Sequence, residues 1–169
     1  MELIAAADKN WGIGRDGGLL CHLPGDLKYF KEMTTGRTVV MGRKTLDSLP
    51  GGRPLPRRRN IVLTRDLSFA REGCEVAHDL PELFFLLAGR DAGGNAGGEP
   101  VMVIGGAAVY EQLLPYCDSC LITKLEAAFA ADTFIRNLDA EADFRLAWQS
   151  EPQTENGVTY RFTRYERIR

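Results

Sequence analysis

The chain has 169 residues, which is long enough for one domain with a substantial hydrophobic core. Hydrophobic residues make up 44% and charged residues 26%, values typical of a globular protein, so we expect a single domain over residues 1–169. The formal net charge of −2 argues against a general nucleic-acid-binding protein, which usually carries an excess of basic residues. The apolar run after Glu2 is too short for a signal peptide or a membrane span, so we expect a cytoplasmic protein.

The predicted elements begin with a short buried strand at residues 2–7. Residues 8–18 form a glycine-rich loop, which either lets the backbone approach a ligand closely or is a plain surface loop. Residues 22–33, HLPGDLKYFKEM, predict a helix, because Pro24 is favoured in a first helical turn and apolar residues recur at helical spacing. Gly36 is a typical signal for the end of that helix.

Asp26 is the most informative residue of this predicted helix. It falls within the apolar face, about 40° around the helix from Phe30 if each residue turns about 100°. A carboxylate turned toward the interior loses its hydration unless a polar group meets it. The simpler interpretation is a first-turn acid that the helix dipole stabilises. Because the rest of the sequence supplies a pocket, we expect Asp26 to face a ligand.

From residue 38 onwards, predicted strands alternate with predicted helices. The predicted strands are 38–41, 60–64, 75–77, 101–104 and 120–126, and the predicted helices lie just after residue 42, at 80–88 and at 107–114. Two further strands, 144–150 and 158–166, flank the Glu-Asn-Gly turn at 155–157, which predicts an antiparallel hairpin. The glycine-rich residues 89–100 are interpreted as a flexible surface connection. The pattern predicts a three-layer α/β domain with a mostly parallel sheet.

Three strand-to-helix turns carry residues suited to phosphate groups, and ligands of open α/β sheets bind beyond the carboxyl ends of the strands. The turns consist of Gly42, Arg43, Lys44 and Thr45, of Thr64 and Arg65, and of Gly105, Gly106, Ala107 and Ala108. The last turn precedes a helix N-terminus, whose free N–H groups and dipole favour an anion. Each turn alone is equally consistent with a tight turn, but three at one sheet edge predict a dinucleotide site. Three cations there favour NADP over NAD, because NADP carries an additional 2′-phosphate.

Other candidate residues leave more than one interpretation open. The loop at 53–59 holds four arginines, which are either a solvated charge cluster or include a side chain that binds a substrate carboxylate bidentately. Cys117 and Cys120 form a C-x-x-C pair, but the pair follows a helix-like stretch, precedes a strand and has no second pair nearby. We therefore expect reduced thiols and no metal site, and we interpret His22 as a capping or surface residue.

Six segments, in this order and spacing, resemble dihydrofolate reductase of the bacterial type. They are LIAAADKNWGIG, LPGDLKYFK, VVMGRKTLDSL, RPLPRRRNIVLT, VMVIGGAAVYEQLLP and LITKLEAAFAADTF, and together they span nearly the whole chain. The resemblance implies an eight-stranded, mostly parallel mixed sheet with about four flanking helices. It also implies NADPH-dependent reduction of 7,8-dihydrofolate to tetrahydrofolate in one-carbon metabolism, by a monomer that binds dihydrofolate and antifolates but no nucleic acid and no membrane.

The resemblance also implies residue roles. Asp26 resembles the acid that hydrogen-bonds the 2-amino group and N3 of the pteridine, and Thr123 resembles its supporting hydroxyl. The residues implied to contact substrate are Ile4, Ala6, Leu27, Phe30, Leu49, Leu55 and, at the glutamate α-carboxylate, Arg58. The residues implied to contact NADPH are Ala6, Ile13, Gly14, Gly42, Arg43, Lys44, Thr45, Leu63, Thr64, Arg65, Ile104, Gly105, Gly106, Ala107, Ala108 and Tyr110. A cis peptide is implied between the two adjacent glycines, and Leu20-Cys21 stands where many members carry Pro-Trp.

The implied mechanism is hydride transfer from C4 of NADPH to C6 of the pterin, with a water molecule delivering the proton to N5. The sequence is also compatible with two alternatives. One is a reductase of the same architecture that acts on a pyrimidine of the riboflavin pathway, which would share the cofactor turn but not the combination of the Asp26 helix with Arg58. The other is a nucleotide-binding module without turnover, against which Asp26, Thr123 and Arg58 argue.

Overall fold

The computed structural model describes residues 1–89 and 100–169. The strands in these residues are β1 (Glu2–Ala7), β2 (Gly12–Gly14), β3 (Thr38–Gly42), β4 (Arg59–Leu63), β5 (Cys74–Ala77), β6 (Met102–Gly105), β7 (Ser119–Leu125), β8 (Thr133–Phe134), β9 (Phe144–Gln149), β10 (Gln153–Glu155) and β11 (Val158–Arg167). The α-helices are α1 (Pro24–Thr34), α2 (Arg43–Ser48), α3 (Leu80–Ala88) and α4 (Ala107–Leu113). The predicted connection at 89–100 lies, except for its two end residues, outside the described residues.

The main sheet has the order β10-β11-β7-β1-β6-β3-β4-β5, and β9 also pairs with β11. The six strands β5, β4, β3, β6, β1 and β7 run parallel to one another, whereas β11 is antiparallel to β7, β9 and β10. Val39, Val40 and Met41 of β3 have no exposed surface, because both faces of the sheet are covered. The predicted α/β fold with a mostly parallel sheet and a C-terminal hairpin is confirmed.

The main sheet contains nine strands among the described residues, one more than the eight that the resemblance implies. The extra strand is β10, which follows the predicted strand at 144–150 and pairs with the same edge of β11 as β9 does. Between them, the backbone N–H of Phe162 donates to Ser150 Oγ (2.9 Å) instead of to a backbone carbonyl. Pro152 has no N–H to donate, so regular pairing resumes only at Gln153.

The glycine-rich loop after β1 is more ordered than its sequence predicts. β2 pairs with β8 in a separate two-stranded sheet. Asp8, which has no exposed surface, organises this loop: Oδ1 accepts hydrogen bonds from the backbone N–H groups of Asn10 (2.9 Å) and Gly12 (2.8 Å). Its Oδ2 accepts from the N–H of Phe129 (2.9 Å), 121 residues away. The carboxylate therefore joins the two loops that carry β2 and β8.

Helix α1 begins at Pro24, as predicted, and it packs on the sheet beside β11, where Tyr29 stacks on Phe162 with ring centroids 4.1 Å apart. The helix ends at Thr34, and Gly36 adopts the left-handed conformation with φ of 81°, which confirms the predicted stop. Among the described residues, no helix is both long and apolar enough to cross a bilayer.

Candidate active site

Asp26 and Thr123 form the centre of the candidate site. Asp26 lies in the first turn of α1, and Thr123 lies on β7, paired between Ala6 of β1 and Phe162 of β11. Thr123 is only 2% exposed, and its hydroxyl donates a hydrogen bond of 2.6 Å to Asp26 Oδ1. The helix thus turns its acid toward the sheet, where a buried hydroxyl provides the polar partner that a carboxylate in this position needs.

The surroundings of Asp26 favour its protonated form. Burial raises the pKa of the Asp26 carboxyl and is the largest effect. The hydrogen bond from Thr123 lowers that pKa, and the nearby charge of Glu155 raises it. The net result is a pKa above the ordinary value for an aspartate, which is the condition expected of a carboxylate held ready for a ligand that supplies hydrogen-bond donors or positive charge.

Four of the predicted substrate-contacting residues meet in one hydrophobic cluster. Ile4 is a buried member of that cluster, and Phe30, Leu49 and Leu55 pack against it. Leu27 lies outside the cluster, on α1, and its surface is 40% exposed. Ile4, Phe30, Leu49 and Leu55 therefore belong to one apolar cluster that extends from β1 and α1 to the loop after α2.

Arg58 is anchored at the opposite end of α1 from Asp26. Its Nε donates to Thr34 Oγ1 (3.1 Å) and one terminal nitrogen donates to the carbonyl oxygen of Pro56 (2.9 Å). Thr34 is eight residues beyond Asp26, so Asp26 and the residue that anchors Arg58 are separated by about 12 Å along the helix axis. This arrangement suits an elongated ligand with hydrogen-bond donors at one end and a carboxylate at the other.

The three predicted phosphate-binding turns lie at neighbouring strand ends, because β6, β3 and β4 are adjacent in the sheet. Gly105 and Gly106 are joined by a cis peptide, as predicted, and Gly105 has φ of 128°. A Cβ atom at Gly105 would lie 3.3 Å from Thr45 Oγ1, and one at Gly106 would lie 3.4 Å from the same atom. The Gly105-Gly106 pair and Thr45 therefore form a close backbone cradle at the N-terminus of α4, and Ala107 and Ala108 occupy the first turn of that helix.

The other residues predicted to contact NADPH lie at the strand ends and in β1 and β2. Arg43, Lys44 and Arg65 are exposed at the ends of β3 and β4. Arg43 also donates to Asp66 (2.8 Å), an ion pair that the sequence does not indicate. The remaining predicted residues are Leu63 and Ile104 at the buried ends of β4 and β6, Thr64 after β4, Gly42 at the end of β3, Ile13 and Gly14 in β2, and Ala6 in β1.

Tyr110 links the cradle to the pocket wall. It is 5% exposed, and its hydroxyl donates to the carbonyl oxygen of Ile4 (2.7 Å), which fixes α4 against β1. Burial raises the pKa of this phenol well above its usual range. Tyr110 therefore acts as a neutral hydrogen-bond donor between the two parts of the site.

Cys117 of the C-x-x-C pair lies just before β7, and Cys120 lies within that strand. The Cys117 and Cys120 thiols have no exposed surface, and burial raises the pKa of Cys117 to about 12. A thiol with this pKa is a poor source of the thiolate that redox or metal chemistry requires. Among residues 1–89 and 100–169, no group of three or more His, Cys, Asp or Glu side chains could hold a metal ion.

Comparison with known proteins decides the family. A family model described as dihydrofolate reductase matches residues 1–167. The chain belongs to the dihydrofolate reductase family. The dihydrofolate reductase of Bacillus subtilis (strain 168) is 37% identical over 169 residues, which cover 99% of this chain and 94% of that protein. The family assignment identifies an NADP-dependent oxidoreductase and confirms the predicted enzyme class.

Other members of the dihydrofolate reductase family agree with this assignment. The bifunctional dihydrofolate reductase-thymidylate synthase of Daucus carota is 41% identical over 181 residues, which cover 99% of this chain but 34% of that longer protein. A solved dihydrofolate reductase from Enterococcus faecalis, complexed with NADP(H) and RAB-propyl, superposes with a TM-score of 0.84 at 33% identity. That comparison covers 99% of this chain and 96% of the other, so the match extends over the whole domain.

Proposed function

We propose that this dihydrofolate reductase uses NADPH to reduce 7,8-dihydrofolate to tetrahydrofolate, with Asp26 and Thr123 binding the pterin. The observation that carries the proposal is the 2.6 Å hydrogen bond from Thr123 to the half-buried Asp26 carboxylate of α1, the helix whose Phe30 packs against the hydrophobic cluster that contains Ile4. Asp26 accepts hydrogen bonds from the 2-amino group and N3 of the pterin. Thr123 fixes the orientation of the carboxylate, so that the ring has one preferred position before reaction.

The other substrate-contacting residues follow the length of the pocket. Ile4, Ala6, Leu27 and Phe30 line the pterin end, and Leu49 and Leu55 pack on the aminobenzoyl group. Arg58 binds the α-carboxylate of the glutamate tail, for which a guanidinium is well suited because it can donate two parallel hydrogen bonds. The separation of about 12 Å along α1 between Asp26 and Thr34, which anchors Arg58, supports this assignment.

The residues present at the strand ends fit NADPH. The glycines at 105 and 106 leave room where a Cβ atom would press on Thr45, and the N-terminus of α4 favours a pyrophosphate. Arg43, Lys44 and Arg65, with Thr45 and Thr64, hold the adenosine and its phosphates, while Ala6, Ile13 and Gly14 hold the carboxamide end. When bound, NADPH supplies the hydride that C4 of its nicotinamide gives to C6 of the pterin.

The proton for N5 comes from water in this proposal. Asp26 is bound to the far edge of the pterin ring and is therefore not the direct donor. Its contribution is to orient the ring and to stabilise a protonated pterin electrostatically. A positively charged ligand lowers the pKa of Asp26, which burial has raised, so binding of a protonated pterin and ionisation of Asp26 support each other.

The direct test of the function follows NADPH absorbance after mixing enzyme, NADPH and dihydrofolate. We expect decay that methotrexate blocks. With NADPH deuterated at the transferred position of C4, we expect one deuterium at C6 of the tetrahydrofolate. Binding of both ligands without decay would favour the non-catalytic module instead. The expected monomeric state and absence of nucleic-acid binding are checked by light scattering with and without DNA, and the proposed cytoplasmic location by cell fractionation.

The Arg58→Gln variant should separate recognition of the tail from recognition of the ring. Loss of a charge-assisted interaction costs about 2 to 3 kcal/mol, so we expect the KM for dihydrofolate to rise by a factor of about 50. The affinity for a 2,4-diaminopyrimidine inhibitor without a glutamate tail should stay unchanged. Arg57→Gln removes the same charge from the neighbouring position and is the matched control, with an expected rise in KM below about threefold. Equal effects of both substitutions would show that the overall positive charge of the 53–59 loop attracts the tail, without a specific contact from Arg58.

A further inference from the structure

The turn between β10 and β11 contacts the beginning of α1. Glu155 Oε1 accepts a hydrogen bond from the backbone N–H of Gly25 (2.8 Å) and another from the Tyr160 hydroxyl. In the same turn, Asn156 Nδ2 donates to the carbonyl oxygen of His22 (2.8 Å). The hairpin thus holds the segment that leads into the helix carrying Asp26, although 130 residues separate Gly25 from Glu155.

Glu155 replaces a missing helix cap. The N-cap position of α1 is Leu23, whose side chain cannot accept a hydrogen bond, and Pro24 has no N–H. The N–H groups of Asp26 and Leu27 both donate to the carbonyl oxygen of Leu23 (3.0 Å each). The N–H of Gly25 is therefore the group in the first turn that needs an acceptor from elsewhere, and Glu155 provides it. A carboxylate at this end of the helix is also favoured by the helix dipole.

The contact requires glycine at position 25. A Cβ atom there would lie 2.5 Å from Glu155 Oε1 and 2.5 Å from the Tyr160 hydroxyl oxygen, closer than a real Cβ contact allows. The absence of a side chain at Gly25 therefore lets the Glu155 carboxylate and the Tyr160 phenol reach the backbone together. Tyr160 has no exposed surface, so this approach takes place in the protein interior.

Asp26 follows Gly25 directly and is influenced by the same carboxylate, because the charge of Glu155 raises the pKa of Asp26. The titratable and hydrogen-bonding groups that act on or respond to Asp26 come from every element around it: Cys21 before α1, Tyr29 on α1, Tyr110 on α4, Thr123 on β7, Glu155 on β10 and Tyr160 on β11. Within this set, Glu155 is the carboxylate that adds a second negative charge.

We propose that Glu155 is a positioning residue for Asp26: it fixes the first turn of α1 through Gly25 and places a second negative charge at the pterin end of the pocket. The proposal rests on the proposed role of Asp26 in binding the pterin. It assigns two effects to one side chain. The hydrogen bond holds the Asp26 carboxylate at Thr123, and the charge favours a proton on Asp26 in the free enzyme or on the pterin in the complex.

Glu155→Gln separates these two effects, since glutamine keeps an oxygen acceptor for Gly25 but removes the charge. In the free enzyme, the pKa of Asp26 measured by carbon-13 NMR should fall by about half a unit, a roughly threefold change in proton affinity. The KM for dihydrofolate should rise about threefold or more, while the KM for NADPH stays constant. Glu151→Gln removes the same charge from an exposed residue between β9 and β10 and should match the wild type in all three measurements.

Tyr160→Phe is the complementary variant, because it removes one hydrogen bond from Glu155 and keeps the charge. We expect a higher KM for dihydrofolate with the pKa of Asp26 within about 0.2 units of the wild type. An unchanged pKa of Asp26 in Glu155→Gln, with an unchanged KM for dihydrofolate, would overturn the proposal. That outcome differs from failure of the Asp26 assignment itself, which would appear as normal turnover in Asp26→Asn.

Discussion

Asp26→Asn is expected to lower kcat for dihydrofolate reduction at neutral pH by a factor of about 10² to 10³, which corresponds to about 3 to 4 kcal/mol of transition-state stabilisation. The carboxylate accepts from two pterin donors and from Thr123, whereas an amide must turn its own donor group toward one of them. Because the NADPH cradle lies at the ends of β3, β4 and β6, the affinity for NADPH should stay nearly the same. Stopped-flow measurement of hydride transfer and fluorescence titration with NADPH check both points.

The same substitution should stabilise the free protein at neutral pH. Burial raises the pKa of Asp26 in the folded state above its unfolded value, so the folded state binds more protons and stability falls as pH rises between the two pKa values. Asparagine has no proton to lose in this pH range, so the Asp26→Asn variant does not lose stability in this way. Urea unfolding should therefore show a higher midpoint than the wild type at pH 7, and the difference should disappear at about pH 3, below the unfolded pKa.

Glu32→Gln is the control for Asp26→Asn, because Glu32 lies on the exposed side of α1 and pairs there with Lys28 at 3.9 Å. Its kcat and unfolding midpoint should both match the wild type, since exposed ion pairs contribute little. Normal hydride transfer in Asp26→Asn would remove the carboxylate from the mechanism. Loss of NADPH binding in the same variant would show that the substitution disturbs the fold and not the pterin site.

Asp8→Ala is expected to cost about 3 kcal/mol or more in the free energy of unfolding. The substitution leaves the backbone N–H groups of Asn10, Gly12 and Phe129 without their acceptor. A buried donor such as that of Gly12 costs about 1 to 3 kcal/mol when it loses its partner, and the two part-buried donors add to this cost. Because Asp8 joins the loops that carry β2 and β8, the loss of stability should be accompanied by weaker NADPH binding at Ile13 and Gly14. Urea unfolding of the free enzyme and NADPH titration measure the two effects.

Asp143→Ala is the matched control for Asp8. Asp143 is exposed, and its ion pair with Arg167 has an N–O distance of 3.7 Å, so we expect a change of less than about 0.5 kcal/mol. A loss below about 1 kcal/mol in Asp8→Ala would mean that water replaces the carboxylate at the three N–H groups. Asp8 would then be a loop residue without a structural role of its own.

The elements that could be predicted from the sequence are those with a local signal. The apolar spacing around Asp26, together with Pro24 and Gly36, predicts α1 and the orientation of its acid, and the structure bears out both ends of the helix. The Asn156-Gly157 turn predicts the hairpin, and both residues have the positive φ angles, 49° and 75°, that a tight hairpin turn requires. In each case a few neighbouring residues determine the backbone conformation.

The parts that could not be predicted depend on residues far apart in the chain. The acceptor roles of Asp8 and Glu155 involve partners 121 and 130 residues away, and neither acid stands out in its own segment. Strands β2 and β8 contain three and two residues, too few for a periodic pattern to show. Strand β10 could not be predicted for the same reason, because it also contains only three residues.

The tight approach at position 25 has a consequence for protein engineering. A chimaera that takes its C-terminal hairpin from another member of the family, or its α1 from one, joins two surfaces that fit only when residues 25, 155 and 160 come from the same parent. Where the donor has a bulkier residue at position 25, the hairpin must shift outward or the helix must tilt. These three positions should therefore be exchanged as a unit in any recombination of such enzymes.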